Sequence, residues 1–186
     1  MTSEGQSISP NDWRLGVWRS FLTAHARIND VLANDLATKV QMPLPWYDVL
    51  VQLTEAPERR LRMAQLAENV LLSRSGLSRL VDRLEREGLV SREPYPGDAR
   101  GTYTVLTREG LARLREATPV HLSGVNELWL SRFNDDELRS LGEMLDRVVE
   151  AASADRTSVG RTSVGREPAG EPAGQVLPGR TTPPKG

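Results

Sequence analysis

A helix followed at once by a hairpin pattern constrains this chain more than any other feature. Leu77, Leu80, Val81 and Leu84 recur at i, i+3, i+4 and i+7, which predicts a helix with one buried stripe. Gly88 then suits a left-handed helix C-cap. The runs 89–93 and 102–106 flank a segment rich in turn residues, so they predict two paired strands. A short helix over 60–70 and a turn at 71–72 precede this unit.

The face of this helix opposite the apolar stripe carries hydroxyl and guanidinium groups. Residues 59–115 contain 12 Arg and 7 acidic residues, a net charge of +5, within a chain whose net charge is −1. A solvated charged face is the alternative interpretation, and charge alone does not exclude it. The position beside a tight turn and a basic hairpin favours DNA, because Arg and Ser bind phosphates and base edges in the grooves. For Arg86 a surface ion pair with a neighbouring carboxylate is the preferred interpretation.

Helical patterns flank this segment on both sides. Ser9 and Pro10 predict the start of an N-terminal helix, over 10–39, whose two adjoining apolar stripes require more than one neighbour. A short helix is expected over 46–54. Thr107 is expected to cap a further helix that Pro119 kinks or breaks, and Asn134 to open the last one. The fold class is therefore mainly α with a small β hairpin.

Composition excludes several classes of protein. The 186 residues include no Cys and two His, so disulfides and thiolate zinc sites are excluded, and neither a metal nor a cofactor is expected. A phosphate-binding Gly loop, HExxH and GxSxG are all absent from the sequence, so an enzyme is not expected. The sequence has no apolar run of about 18 residues and no signal peptide pattern. We expect a cytoplasmic protein without a membrane partner.

Composition also changes near residue 153. Segment 153–186 has six Gly, five Pro and no aromatic residue, and the sequence RTSVG occurs twice in tandem. Such a segment cannot bury a core, which predicts a disordered tail. The folded part is expected over 9–152, after a flexible N-terminus at 1–8.

Three motifs together resemble those of the multiple antibiotic resistance regulator (MarR) family: LAENVLLSRSGLSRLVDRLEREGLVSRE, the loop GDARG, and VLTREG at the start of a long helix. The resemblance implies a winged helix-turn-helix over 59–115. It also implies a homodimer formed through helices 10–39 and 107–152, binding a pseudo-palindromic operator in double-stranded DNA. Such a protein regulates transcription, commonly as a repressor that a small ligand releases.

The resemblance also implies which residues contact DNA. The recognition helix would lie in the major groove and the hairpin, or wing, in the minor groove. Asp98 matches an acidic wing residue that orients Arg100, while Ala99 departs from the polar residue common there. A winged-helix module that binds an acidic protein instead of DNA is the alternative function. The implied DNA-binding residues are Ser73, Arg74, Ser75, Ser78, Arg79, Arg83 and Arg100.

Two polar residues interrupt the apolar stripe of the first helix. His25 and Asn29 are either polar residues that fix the register of the helices at a dimer interface or part of a ligand pocket. In the pocket hypothesis, Trp18, Trp46 and Tyr47 form aromatic walls around a small aromatic ligand. His121 receives no role from its sequence context.

Overall fold

The computed structural model describes residues 8–70, 74–95 and 101–162 and confirms the mainly α fold with a small sheet. The chain divides into two compact units, the first ending at Asn134 and the second beginning at Asp135. The first unit contains five α-helices and three strands among the described residues. In chain order these are α1 (Arg14–Val40), α2 (Leu44–Glu55), β1 (Arg60–Arg62), α3 (Met63–Asn69), α4 (Arg74–Arg86), β2 (Val90–Pro94), β3 (Thr102–Leu106) and α5 (Arg108–Leu128). The second unit contains α6 (Asp135–Thr162).

The sheet has one strand more than the sequence predicts. The hairpin of β2 and β3 forms as expected, but β1 pairs antiparallel with the other edge of β3, giving the order β1-β3-β2. Arg60 lies opposite Val105 and Arg62 opposite Tyr103. The prediction of helix from residue 60 is therefore wrong over these three residues. A strand this short has no readable alternation, and its partner lies about 40 residues away in sequence.

The end of α4 confirms the predicted glycine cap. Gly88 has a φ of 71°, in the left-handed region where a side chain is unfavourable. The amide of Leu89 donates to the carbonyl of Leu84 at 2.9 Å, which closes the last turn. Gly88 thereby turns the chain from α4 directly into β2.

The start of α5 is also as predicted, since the Thr107 hydroxyl accepts a hydrogen bond from the Gly110 amide at 2.9 Å. The break expected at Pro119 is absent, and α5 continues through it to Leu128. Pro119 lies on the exposed side of the helix. Leu114 and Ala117 before it and Gly124 after it are buried, so packing on the inner side keeps the two halves in one helix.

The start of α1 corrects another prediction. The helix begins at Arg14 rather than near Pro10, because the carboxylate of Asp12 accepts the Arg14 backbone amide at 2.9 Å. The side-chain hydrogen bond from Arg14 lowers the pKa of Asp12 below its usual value. Residues 9–12 instead form a turn in which the Asp12 amide donates to the Ser9 carbonyl.

The core of the first unit lies among α2, α3, α4 and the sheet. Its centre is aliphatic, with α2 packed against α3, α4, α5 and β3. At about 25 cal/mol per Å² of apolar surface buried, these side chains supply the main stabilising term. The largest side chains with less than 2% exposure are Leu36, Met42, Leu50, Leu53, Leu66, Leu77, Leu84, Val49, Val81, Val90 and Thr104.

The second unit consists of α6 among the described residues, and this helix continues past residue 152 to Thr162. Residues 163–186 of the expected tail lie outside the described part, so its disorder remains a prediction. None of the described helices is long and apolar enough to cross a lipid bilayer.

Candidate nucleic-acid interface

The exposed face of α4 carries the polar side chains that its sequence period predicts. Leu77, Val81 and Leu84 are fully buried on the inner face. On the outer face, Ser78, Arg79 and Arg83 are exposed. The inner stripe thus fixes the rotation of α4 about its axis, and the outer face presents hydroxyl and guanidinium groups to solvent.

Several of the expected DNA contacts lie at the margins of the described structure. Arg74 and Ser75 lie in the first turn of α4. Ser73, Asp98 and Arg100 lie outside the described residues. The roles assigned to these five positions therefore remain predictions.

Arg92 on β2 joins the hairpin to α4. Its guanidinium donates to Asp82 at 2.5 Å and to Glu85 at 2.7 Å, both on α4. The hydrogen bond with Asp82 raises the pKa of Arg92 most strongly. The sequence suggested local pairs for these carboxylates, but Arg86 instead donates to the Asp82 main-chain carbonyl at 3.3 Å. Arg92 thus offsets the negative charge of two acidic groups on α4.

A stack of Arg and Tyr side chains crosses the sheet at the base of the hairpin tip. The Arg62 guanidinium lies 3.4 Å from the centre of the Tyr95 ring, and that of Arg60 lies 4.8 Å from the centre of Tyr103. The two rings meet edge to face at 5.3 Å. The Tyr95 amide also donates to the Gly101 carbonyl at 2.8 Å, which closes the hairpin just before its tip. Sequence reasoning missed this stack because it depends on the unpredicted strand β1.

A second feature of the first unit is a groove of about 890 Å³ between α1, α2 and α5. Of the four residues predicted for a ligand pocket, His25 and Tyr47 line it. Trp18 does not line this groove and is 54% exposed, while Trp46 lines a separate, smaller depression. The structure therefore brings together half of the predicted pocket residues.

His121 of α5 is the groove residue that the sequence did not reveal. Its ring lies 4.3 Å from the Tyr47 ring, centre to centre. Burial lowers the pKa of His121, and its Nδ1 atom is buried without a hydrogen-bond partner within the described structure. Burial likewise raises the pKa of Tyr47. His25 contacts Asn29 on α1 through its Nε2 atom, at 3.0 Å from the Asn29 amide nitrogen.

The described residues contain no group of three or more His, Asp or Glu side chains placed to hold a metal ion. The groove and the exposed face of α4 are candidate binding surfaces of this unit.

Comparisons with known proteins agree with this architecture. A family model described as "MarR family" matches residues 40–101, from the end of α1 to the hairpin. The crystal structure of Sco3205, a MarR family transcriptional regulator from Streptomyces coelicolor in complex with DNA, superimposes with a TM-score of 0.73 at 37% sequence identity. That match covers 81% of this chain and 92% of Sco3205.

Two curated relatives show lower but consistent similarity. The HTH-type transcriptional repressor YetL of Bacillus subtilis (strain 168) is 30% identical over 106 residues, which are 55% of this chain and 63% of YetL. The chain thus spans less than two thirds of YetL. An uncharacterized HTH-type transcriptional regulator of Bacillus cereus (strain ATCC 14579) is 30% identical over 118 residues, 63% of this chain and 76% of that protein.

The resemblance read from the sequence motifs is confirmed by the family model, by these relatives and by the fold. The winged helix-turn-helix is formed by α3, α4 and the hairpin, and helices α1, α5 and α6 flank it in sequence. The chain belongs to the MarR family of winged helix-turn-helix transcriptional regulators.

Proposed function

We propose that this protein is a dimeric, DNA-binding transcriptional regulator that represses its target genes and is released by a small ligand. The observation that carries the proposal is the exposed Ser and Arg face of α4, held in place by a fully buried stripe. The similarity to Sco3205, whose structure contains DNA, supports the same function for the α4 face. YetL is a repressor by name, which supports repression as the direction of regulation.

In this proposal α4 enters the major groove and the hairpin tip reaches the minor groove. Ser78, Arg79 and Arg83 face the DNA, Arg being suited to paired hydrogen bonds with guanine. The +5 charge of residues 59–115 supplies the electrostatic attraction to phosphates. Arg92 supports binding indirectly, because it removes two negative charges from the approach to the DNA.

Dimerisation is supported by apolar surface that the single chain leaves exposed. In the first unit, Trp13 just before α1 is 79% exposed, and Val17 and Trp18 on α1 are 62% and 54% exposed. In the second unit, Val148 and Val149 on α6 are more than 60% exposed. Large apolar side chains clustered in this way mark surfaces that another protein covers, and a second copy of the chain is the occupant that two-fold DNA sites favour.

The groove between α1, α2 and α5 is the proposed ligand site. Its volume of about 890 Å³ falls within the usual range for small-molecule pockets. It has the Tyr47 and His121 rings at one side and lies next to the helix-turn-helix, because α2 contacts α3 and α4.

The experiment that tests DNA reading is fluorescence anisotropy with the intergenic DNA upstream of the gene and a scrambled duplex, near 150 mM salt. We expect the upstream DNA to bind about 10³-fold more tightly than the scrambled duplex. Arg79→Ala should cost about 1–3 kcal/mol and relax the preference at one base pair. Arg132→Ala, which removes the same charge from an exposed site after α5, serves as the control.

Equal, weak binding of both duplexes would contradict the proposal if a selection over genomic fragments also recovered no preferred site. A partner protein that stays bound after nuclease treatment would then favour the winged-helix interaction module. An unchanged base preference in Arg79→Ala would refute the assignment of Arg79 to base reading.

A further inference from the structure

The groove between α1, α2 and α5 is lined by acidic side chains without a basic one. Asp30 comes from α1, and Asp48 and Glu55 come from α2. The spacing of Asp48, Gln52 and Glu55 places all three on one face of α2, which is the face that lines the groove. Among the described residues, no Lys or Arg lines this groove.

No described cation offsets the charge of these three carboxylates. The side chains of Asp30, Asp48 and Glu55 are exposed, and neither an ion pair nor a hydrogen bond joins any of them to another described residue. Partial loss of hydration also raises the pKa of Asp48. Because the three charges line an open groove, they attract a cation that enters it.

The imidazole of His121 does not add a positive charge to the groove. Burial disfavours its charged form and lowers its pKa. The Tyr47 ring, whose centre lies 4.3 Å from that of His121, adds an aromatic wall that favours organic cations as well as aromatic groups.

We propose that the ligand of this groove is a lipophilic organic monocation, with an aromatic or other apolar body and one delocalised or quaternary positive charge. This inference rests on the ligand response proposed above and specifies its chemical class. Asp48 and Glu55 supply the attraction, while Val51 and Leu122 contact the apolar body. An aromatic carboxylate or phenolate would instead meet three like charges, which disfavours it relative to a cation of the same shape.

The test uses two probes of the same shape and opposite charge, tetraphenylphosphonium and tetraphenylborate. Each is titrated calorimetrically into the full-length protein without DNA, so that affinity of the cation for nucleic acid does not interfere. We expect the cation to bind at least about tenfold more tightly than the anion. Asp48→Asn and Glu55→Gln should each weaken the cation about three- to tenfold, since each removes one attractive charge.

Glu127→Gln is the matched control, because it removes one exposed carboxylate from α5 outside the groove. It should leave the affinity for tetraphenylphosphonium unchanged. Circular dichroism of each variant identifies a folding defect, and Glu55→Gln serves as the second variant if Asp48→Asn fails to fold.

Equal binding of the two probes, tighter binding of the borate, or no binding of either would overturn the assignment of a cationic ligand. A preference for the cation that persists in both carboxylate variants would place the site elsewhere and overturn the assignment to this groove. Failure of the proposed function is a separate result, because specific DNA binding is measured without any ligand.

Discussion

Gly110 at the start of α5 is the position where a single methyl group should disturb the protein most. A Cβ atom built at Gly110 would overlap the carbonyl oxygen of Leu89 and lie 2.9 Å from Cδ1 of Leu106. The Leu89 carbonyl cannot move away freely, because it accepts hydrogen bonds from the Thr107 hydroxyl at 2.9 Å and the Thr107 amide at 3.2 Å. We therefore expect Gly110→Ala to shift α5 away from the base of the hairpin.

The expected change in the free energy of unfolding is the sum of three contributions. Overpacking of this kind costs about 1–3 kcal/mol. Weakening the two hydrogen bonds to the Leu89 carbonyl costs about 1 kcal/mol each. The higher helix propensity of Ala returns about 1 kcal/mol. The expected net loss in the free energy of unfolding is about 2–4 kcal/mol.

Urea denaturation followed by circular dichroism, at one fixed protein concentration, measures this loss. Gly142→Ala is the matched control, because Gly142 also lies in a helix but a Cβ there meets no atom within 4 Å. That variant should be as stable as the parent protein or up to about 1 kcal/mol more stable. A Gly110→Ala protein as stable as Gly142→Ala would refute the packing argument and the predicted contact between α5 and Leu89.

Three further predictions concern the hairpin and the groove. Arg92→Met should lower the free energy of unfolding, measured in urea, by about 1 kcal/mol, because each partly exposed ion pair with α4 contributes about 0–1 kcal/mol. An unchanged free energy of unfolding would show that these ion pairs do not stabilise the protein. Tyr95→Leu should weaken operator binding by about threefold in anisotropy through loss of the Arg62 stack, while Tyr95→Phe, which keeps the ring, should bind normally. Since burial lowers the pKa of His121 in the folded protein, stability should fall as the pH drops below about 6.5, the unfolded value. His121→Asn should reduce the difference in urea midpoint between about pH 7.5 and 5.5. If that difference is as large in the variant as in the parent protein, groups other than His121 cause the pH dependence of stability.

The features that sequence reasoning predicted correctly depend on neighbours close in the chain. The apolar stripe of α4 follows from a 3.6-residue period, and the left-handed Gly88 follows from its place after that stripe. Thr107 caps α5 through the amide three residues later. The residues of α4 outside the apolar stripe point away from the core, so the orientation of its basic face was predictable as well.

The features that were missed depend on residues distant in sequence. β1 is a strand because of its register with β3, and no local signal distinguishes residues 60–62 from the start of α3. Arg92 pairs with Asp82, ten residues earlier, rather than leaving that carboxylate to a nearby Arg on the same helix. His121 enters the groove because α5 continues through Pro119, where the sequence predicted a kink or a break.

Two helices of the first unit contact both the groove and the DNA-binding part. α2 lines the groove with Asp48 and Glu55, while its opposite face is fully buried in the core that contains the inner stripe of α4. α5 lines the groove with His121 and packs at Gly110 against the Leu89 carbonyl, where α4 turns into the hairpin. A close-packed core transmits such displacements rather than absorbing them, so a ligand that moves α2 or α5 also moves α4. To weaken operator binding 100-fold, the ligand must prefer the DNA-free arrangement by about 2.7 kcal/mol, and bound DNA must weaken the ligand by the same factor.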